Sequence, residues 1–272
     1  MEAKTEHKST EKLMPVLFIG HGNPMNALEK NEFSDEWRRI VRTFPCPKAI
    51  LCISAHWSIK GTKVTAMERP KTIYDFGGFP DKLYAQKYPA PGSPALSEII
   101  YTHLGIYSIG KDYHWGLDHG TWSFLKHMYP DNNVPVVQMS IDHTKSMKHH
   151  YRLGKELLFL RKMGVLITGS GNIIHNLRLA KSTKNGFDHE FAYNWALELN
   201  ELLKERIIEN NSEALMDYGR ISKHAYWGIP SEEHYIPLIY ALALKTENDR
   251  ITIFNDKVIG GAISMTSFII SH

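Results

Sequence analysis

The chain is nearly without cysteine: Cys46 and Cys52 are its only two. Cys52 lies in an apolar run and Cys46 between two prolines, which makes neither a disulfide framework nor a zinc knuckle, so a reducing compartment is the natural setting. Strong charge of one sign is also missing. Lys and Arg number 32 against 29 Asp and Glu, a net charge of +3. The densest basic group, Lys145, Lys148, His149, His150 and Arg152, reads as a solvated helix face and not as a nucleic-acid footprint. No apolar run reaches the roughly 18 residues a bilayer crossing requires, and the polar segment Met1–Leu13 has no apolar stretch of the secretory-signal kind. A soluble, cytoplasmic protein with no nucleic-acid or membrane partner is expected.

Several nucleotide and hydrolase motifs are missing as well. There is no Walker A sequence, no His-Glu-x-x-His and no Gly-x-Ser-x-Gly elbow, and Gly169-Ser170-Gly171 lacks the third glycine of a dinucleotide fingerprint. Repeats, low-complexity tracts and long linkers are absent too.

What is present is a 43% hydrophobic complement spread over 272 residues, enough for a sizeable core. Short apolar runs ending in glycine or polar residues predict strands at Val16–Gly20, Ala49–Ser54, Val134–Ser140, Val165–Thr168 and around Ala262–Ile270. Helical patterns fall between them, at Pro94–Leu104, Trp122–Tyr129, Ser146–Lys162, Asp188–Glu209 and Ser231–Leu244. Ser93–Pro94 and Pro230–Ser231 read as helix starts. The alternation predicts an α/β single-domain layered fold, residues 14–272, with a central mostly parallel (mixed) sheet flanked by helices, after a flexible N-terminal arm, residues 1–13. Lys63–Met67 and Arg250–Phe254 are candidate antiparallel edges. The stretch Pro70–Pro94 is rich in proline, glycine and aromatics, and reads either as a lid or pocket wall or as a packed surface loop.

Fifteen histidines are present. His7, His189 and His272 sit in polar or terminal segments, and His103, His127, His149 and His150 on helices with charged neighbours; a surface position is expected for all seven. Five others differ. His21, His56 and His175 each follow a predicted strand, His119 precedes a helix in Asp118-His119-Gly120, and His234 lies in the first turn of a helix. Ligands bind beyond the carboxyl ends of strands in α/β sheets, and a parallel sheet would bring the first three to one edge. Each alone fits a hydrogen-bonded structural histidine; three together, two of them beside glycines, point to a metal site, since imidazole ligates zinc, iron and copper.

The motif set resembles the LigB-like (class III) extradiol ring-cleaving dioxygenase superfamily, in its 4,5-DOPA dioxygenase branch. The resembling residues are Gly20-His21-Gly22-Asn23-Pro24-Met25, Ser54-Ala55-His56-Trp57, Tyr74-Asp75-Phe76-Gly77-Gly78-Phe79-Pro80, Tyr88-Pro89-Ala90-Pro91-Gly92, Gly116-Leu117-Asp118-His119-Gly120, Gly171-Asn172-Ile173-Ile174-His175-Asn176-Leu177 and Glu233-His234-Tyr235. They run in order through nearly the whole chain.

The resemblance implies His21, His56 and His234 as metal ligands. It places His175 at the same centre, as a fourth ligand in a zinc-loaded form or as the acid/base. His119 would hydrogen-bond dioxygen or the catechol, with Asp118 as its orienter. Better-known members of the superfamily use two histidines and a glutamate; here Glu232-Glu233-His234 fits the all-histidine pattern, with either glutamate the alternative. The implied reaction is catechol ring cleavage by O2 with ferrous iron, zinc being a plausible bound metal. The rival reading is a zinc-dependent hydrolase that uses the same histidines to activate water. Trp57, Tyr74, Phe76, Phe79, Trp115 and Tyr235 are candidates for a planar-ring pocket, or for plain core.

Overall fold

The computed structural model describes residues 13–182 and 190–272. The expected arm, apart from Leu13, lies outside the described residues, as do His7, His189 and the expected helix start at Asp188.

Among the described residues eight strands form one sheet, lying in the order Gly110–Asp112 (β4), Lys63–Thr65 (β3), Val136–Asp142 (β5), Ala49–Ile59 (β2), Val165–Gly171 (β6), Val16–Gly20 (β1), Ser267–Ser271 (β10) and Arg250–Phe254 (β7). Its parallel centre is β1 (Val16–Gly20), β2 (Ala49–Ile59), β5 (Val136–Asp142) and β6 (Val165–Gly171). β10 (Ser267–Ser271) pairs antiparallel with β1 and with the edge strand β7 (Arg250–Phe254). At the other side β3 (Lys63–Thr65) runs antiparallel to β5 and parallel to β4 (Gly110–Asp112). β8 (Val258–Ile259) and β9 (Ile263–Ser264) make a separate hairpin. The expected mixed α/β sheet is therefore what forms.

Alternation along the central strands divides the core in two. Val16, Phe18, Leu51, Ile53, Val137 and Ile167 face one layer, packed with Leu153, Leu199, Leu203, Leu238 and Leu242. Leu17, Ile19, Ile50, Cys52, Val136 and Leu166 face the other, with Trp37, Trp122, Phe124 and Leu125. Strands covered on both faces read as continuous apolar runs, which is why they were visible in the sequence.

Some expectations need correction. β2 does not stop at Ser54; it continues to Ile59, with a register shift against β5 between Ile53 and Ser58. His56 therefore lies within the strand, at an irregularity of the kind that re-aims a side chain. The last expected helix does not start at Ser231. The Ser231 hydroxyl donates to Glu233 instead of capping a helix, and the helix runs Ile236–Ala243 with Pro237 in its first turn. Likewise the helix expected from Asp188 begins at Asn194, because Tyr193 N donates to Gly261 O. Ser93 does cap the helix Pro94–His103, accepting from Leu96 N at 3.2 Å.

His150 is not a surface residue. It is fully buried on the inner face of the helix Met147–Glu156, with Nδ1 3.0 Å from the Tyr240 hydroxyl. His127 is partly buried, with its ring between Arg38 and Asn26 O. Arg161 is also wholly buried; it forms a two-pronged ion pair with Asp249 and donates to Met14 O and Leu244 O.

Candidate metal centre

The carboxyl ends of β1, β2 and β6 open onto one histidine cluster. His21 follows β1, its backbone N–H donating to Gly171 O at the end of β6. The close approach of β1 to the segment before β10 requires glycine at position 20, where a Cβ would lie 2.6 Å from Met265 O. His234 sits in the turn before the helix Ile236–Ala243, and its carbonyl accepts from Asn172 N at 2.9 Å. His119 opens the helix His119–Met128, whose N-cap is Asp118, accepting from Thr121 N.

His21 Nε2 and His56 Nε2 stand 3.0 Å apart. The ring centroids of His234 lie 5.5 Å from His21 and 5.0 Å from His56. His119 lies 3.9 Å from His56 and 5.5 Å from His21 by the same measure. His175 is stacked on His234 at 3.6 Å, with 9° between the planes. All five histidines singled out in the sequence are thus in one place, with His175 stacked on the ring of His234.

Among the described residues two groups could hold a metal ion: His21 with His56 and His234, and His56 with Asp75 and His119. Their chemistry differs. In the second group Asp75 Oδ2 is 3.0 Å from His56 Nδ1 and 2.9 Å from His119 Nδ1, the separations of ordinary hydrogen bonds. In the first group the donor atoms lack such partners. Among the described residues neither ring nitrogen of the buried His234 has a hydrogen-bond partner; Glu233 Oε1, 3.5 Å from Nδ1, is an electrostatic neighbour. His21 Nδ1 is 3.0 Å from Ser170 Oγ, whose own proton goes to Gly120 O. Ser170 must therefore accept from His21 Nδ1–H, which leaves the His21 Nε2 lone pair facing His56. A second nitrogen 3.0 Å away needs a proton or a cation between them. The first group fits a divalent metal, for which neutral imidazole is the binding form.

The electrostatics favour neutral donors. Burial, then the neighbouring histidines, holds His21 and His175 well below the usual imidazole range. Burial brings His234 to about 4 despite Glu233, and His119 to about 4 despite Asp75. His56 departs from this pattern. Burial pulls it down, but the Asp75 hydrogen bond and the charges of Asp118 and Asp75 outweigh that and raise it. Asp75, although burial pushes it up, is held far below the carboxylate range by hydrogen bonds from His119 and His56. Asp118, fully buried, is pushed up to about 6.

Glu232 and Glu233, the alternatives to His234, are engaged by other donors. Glu233 accepts from Ser231 and Glu232 from the Tyr218 hydroxyl. Asp118 does not touch the His119 ring; it accepts from Ser54 and Gln138 and caps the helix. The carboxylate on His119 is Asp75, delivered by the aromatic loop, a contact that sequence reasoning missed although its motif was in view. Sequence reasoning misses Ser170 too, hidden in a Gly-Ser-Gly that it tests only as a dinucleotide fingerprint.

That loop packs Tyr74 and Phe76 on Trp122, with Phe79 and Tyr84 against Phe76, and Phe76 lies 5.5 Å from His119, edge to face. Trp57 and Trp115 stack in parallel at 5.4 Å. Tyr235 belongs to the core: it is fully buried against Tyr218 and donates to Leu215 O.

A mixed α/β sheet thus sets a buried histidine cluster at its carboxyl edge, in an arrangement that could hold a metal ion. The model of the catalytic LigB subunit of aromatic ring-opening dioxygenase matches residues 15–262, and the chain belongs to that family. It is 41% identical over 93% of both chains to 4,5-DOPA dioxygenase extradiol of Escherichia coli K12. It is 34% identical to the protein of the same name from Beta vulgaris, over 96% of this chain and 97% of that one. The crystal structure of an uncharacterized protein of Escherichia coli K12 superposes with a TM-score of 0.82 at 38% identity, covering 95% of this chain and all of the other. The enzyme is an extradiol aromatic ring-opening dioxygenase similar to these 4,5-DOPA dioxygenases. No helix among its described residues is long and apolar enough to cross a membrane.

Proposed function

We propose that the enzyme is metal-dependent and cleaves DOPA or a similar small catechol with O2 beside its two hydroxyls, giving a muconic semialdehyde-type product. His21, His56 and His234 hold the metal. The observation that carries this reading is the convergence of the His21 and His56 Nε2 atoms at 3.0 Å beside the unpartnered nitrogens of His234. When bound, ferrous iron supplies the electron transfer that lets triplet O2 react with a closed-shell catechol. Imidazole sites retain zinc more tightly than ferrous iron, so zinc is the metal expected to compete for the same donors.

The chain's own groups do the rest. His175 enters neutral, because burial and its histidine neighbours hold its proton affinity down, and it takes the catechol proton at a ring nitrogen. His119 hydrogen-bonds the reacting oxygens. Phe76, edge-on to His119, forms one wall against the substrate ring. The cytoplasm, where thiols such as the exposed Cys46 stay reduced, is the compartment we assign.

The test is His175→Ala. Lost turnover with metal content retained supports the base role. Lost metal makes His175 a fourth ligand, and full turnover removes it from the mechanism.

A further inference from the structure

Asp75 bridges two histidines of the centre. Its Oδ1 accepts from the backbone N–H of His119 at 2.8 Å. Its Oδ2 meets both His119 Nδ1, at 2.9 Å, and His56 Nδ1, at 3.0 Å. The Asp75 side chain is only 14% exposed, so water does not compete freely for these oxygens. A carboxylate has no proton to give, and the backbone N–H can only donate. Every group facing Asp75 is therefore a donor, and both rings carry hydrogen on Nδ1. In a neutral imidazole the other nitrogen is then a bare acceptor.

We propose that Asp75 is a positioning residue that locks His56 and His119 together in the Nδ1–H tautomer, so that both Nε2 lone pairs are presented as acceptors. The proposal rests on the reading of His21, His56 and His234 as metal ligands. For His56 the locked tautomer is the one that can ligate through Nε2; a ring protonated there would offer the metal an N–H. For His119 it defines the role more narrowly: its Nε2 receives a hydrogen bond from a substrate hydroxyl and becomes a donor only after taking a proton. One carboxylate thus sets two rings, one from β2 and one from the first turn of the helix His119–Met128. Hydrogen-bonding the far nitrogen of a metal-bound histidine to a carboxylate is a general way to fix tautomer and raise ligand basicity.

The test has two parts. In zinc-loaded wild-type protein, where the cation takes the place between His21 and His56, long-range 15N–1H correlation spectra report which nitrogen of each ring carries hydrogen. His56 and His119 are expected as Nδ1–H, and finding either as Nε2–H would overturn the proposal whatever the enzyme's activity. In Asp75→Asn the amide oxygen keeps the His119 backbone N–H, since the reverse would set two N–H groups against each other, and the amide N–H turns to the rings, so at least one ring is expected to switch to Nε2–H. Zinc affinity, measured by competition with a chelator, should then fall about 10- to 100-fold. Unchanged zinc affinity and unchanged tautomers in the variant would refute the role of Asp75 while leaving the metal reading intact. A wild-type chain that fails to bind zinc at all would remove both.

Discussion

Gly171, the last residue of β6, offers a strict test of how the site is built. A Cβ added there would lie 2.1 Å from the carbonyl oxygen of His234 and 3.0 Å from its carbonyl carbon. Real Cβ contacts essentially never fall below 3.0 Å, so the His234 backbone must retreat by about 0.9 Å in Gly171→Ala. The displaced carbonyl is the one that accepts from Asn172 N at 2.9 Å. The strand itself is held by its pairing with β1 and packs in the core, so the movement falls on the turn that carries His234. Overpacking of this kind costs about 1–3 kcal/mol of stability, which leaves the domain folded. A shift near 1 Å in a group that must converge with two others is enough to lower turnover by about 100-fold. The assay is paired: denaturant unfolding for the fold, and chelator competition with zinc alongside turnover for the site. The expected result is a folded variant with weakened metal binding and turnover reduced by two orders of magnitude. Metal affinity and activity within twofold of wild type would show that His234 is not held by this contact.

Two further predictions concern the scaffold. Asp249→Ala leaves the wholly buried guanidinium of Arg161 with two carbonyls and no counter-charge, and should destabilise the protein by about 3–5 kcal/mol in equilibrium unfolding; a loss below about 1 kcal/mol would mean that the charge finds water. His150 is pushed down to about 4 in the folded state, chiefly by burial and then by His149, against an unfolded value near 6.5. The unfolded chain therefore binds the extra proton between those values. The stability His150 contributes is complete above about pH 6.5 and is lost as pH falls towards 4, by up to about 3 kcal/mol. His150→Gln should be less sensitive to acid over that range, and a stability difference between wild type and variant that does not change between pH 7.5 and pH 5 would refute this.

The parts of the fold legible in the sequence are those that local pattern controls. β1 and β6 are apolar runs buried on both faces and ended by glycine, and their starts were read correctly. β2 runs past its expected end because Ser54, His56 and Ser58, which look like a strand end, belong to an irregular stretch of the same strand. The charged neighbours of His150 point to an exposed position. Yet the spacing of Met147, His150, Leu153 and Gly154 places it on the buried stripe of the helix, and that period was the better guide. In the site, the five histidines could be picked out because each sits at an element boundary or, for His56, at a strand irregularity, in a glycine- or polar-rich context. Their partners could not. Asp75 meets His119 across 44 residues, and Ser170 meets His21 across 149. No local periodicity reports which acceptor a ring will find once a sheet and a loop have closed around it.

The claim that matters most is ring opening by O2 at this centre. Protein loaded anaerobically with ferrous iron, then given DOPA and a panel of simple catechols in an oxygen electrode with 18O2, should consume one O2 per catechol and place both labelled atoms in a ring-opened product. Wild-type protein that takes up no oxygen with any catechol, or that turns over a hydrolysable substrate with zinc and no oxygen, would contradict the account.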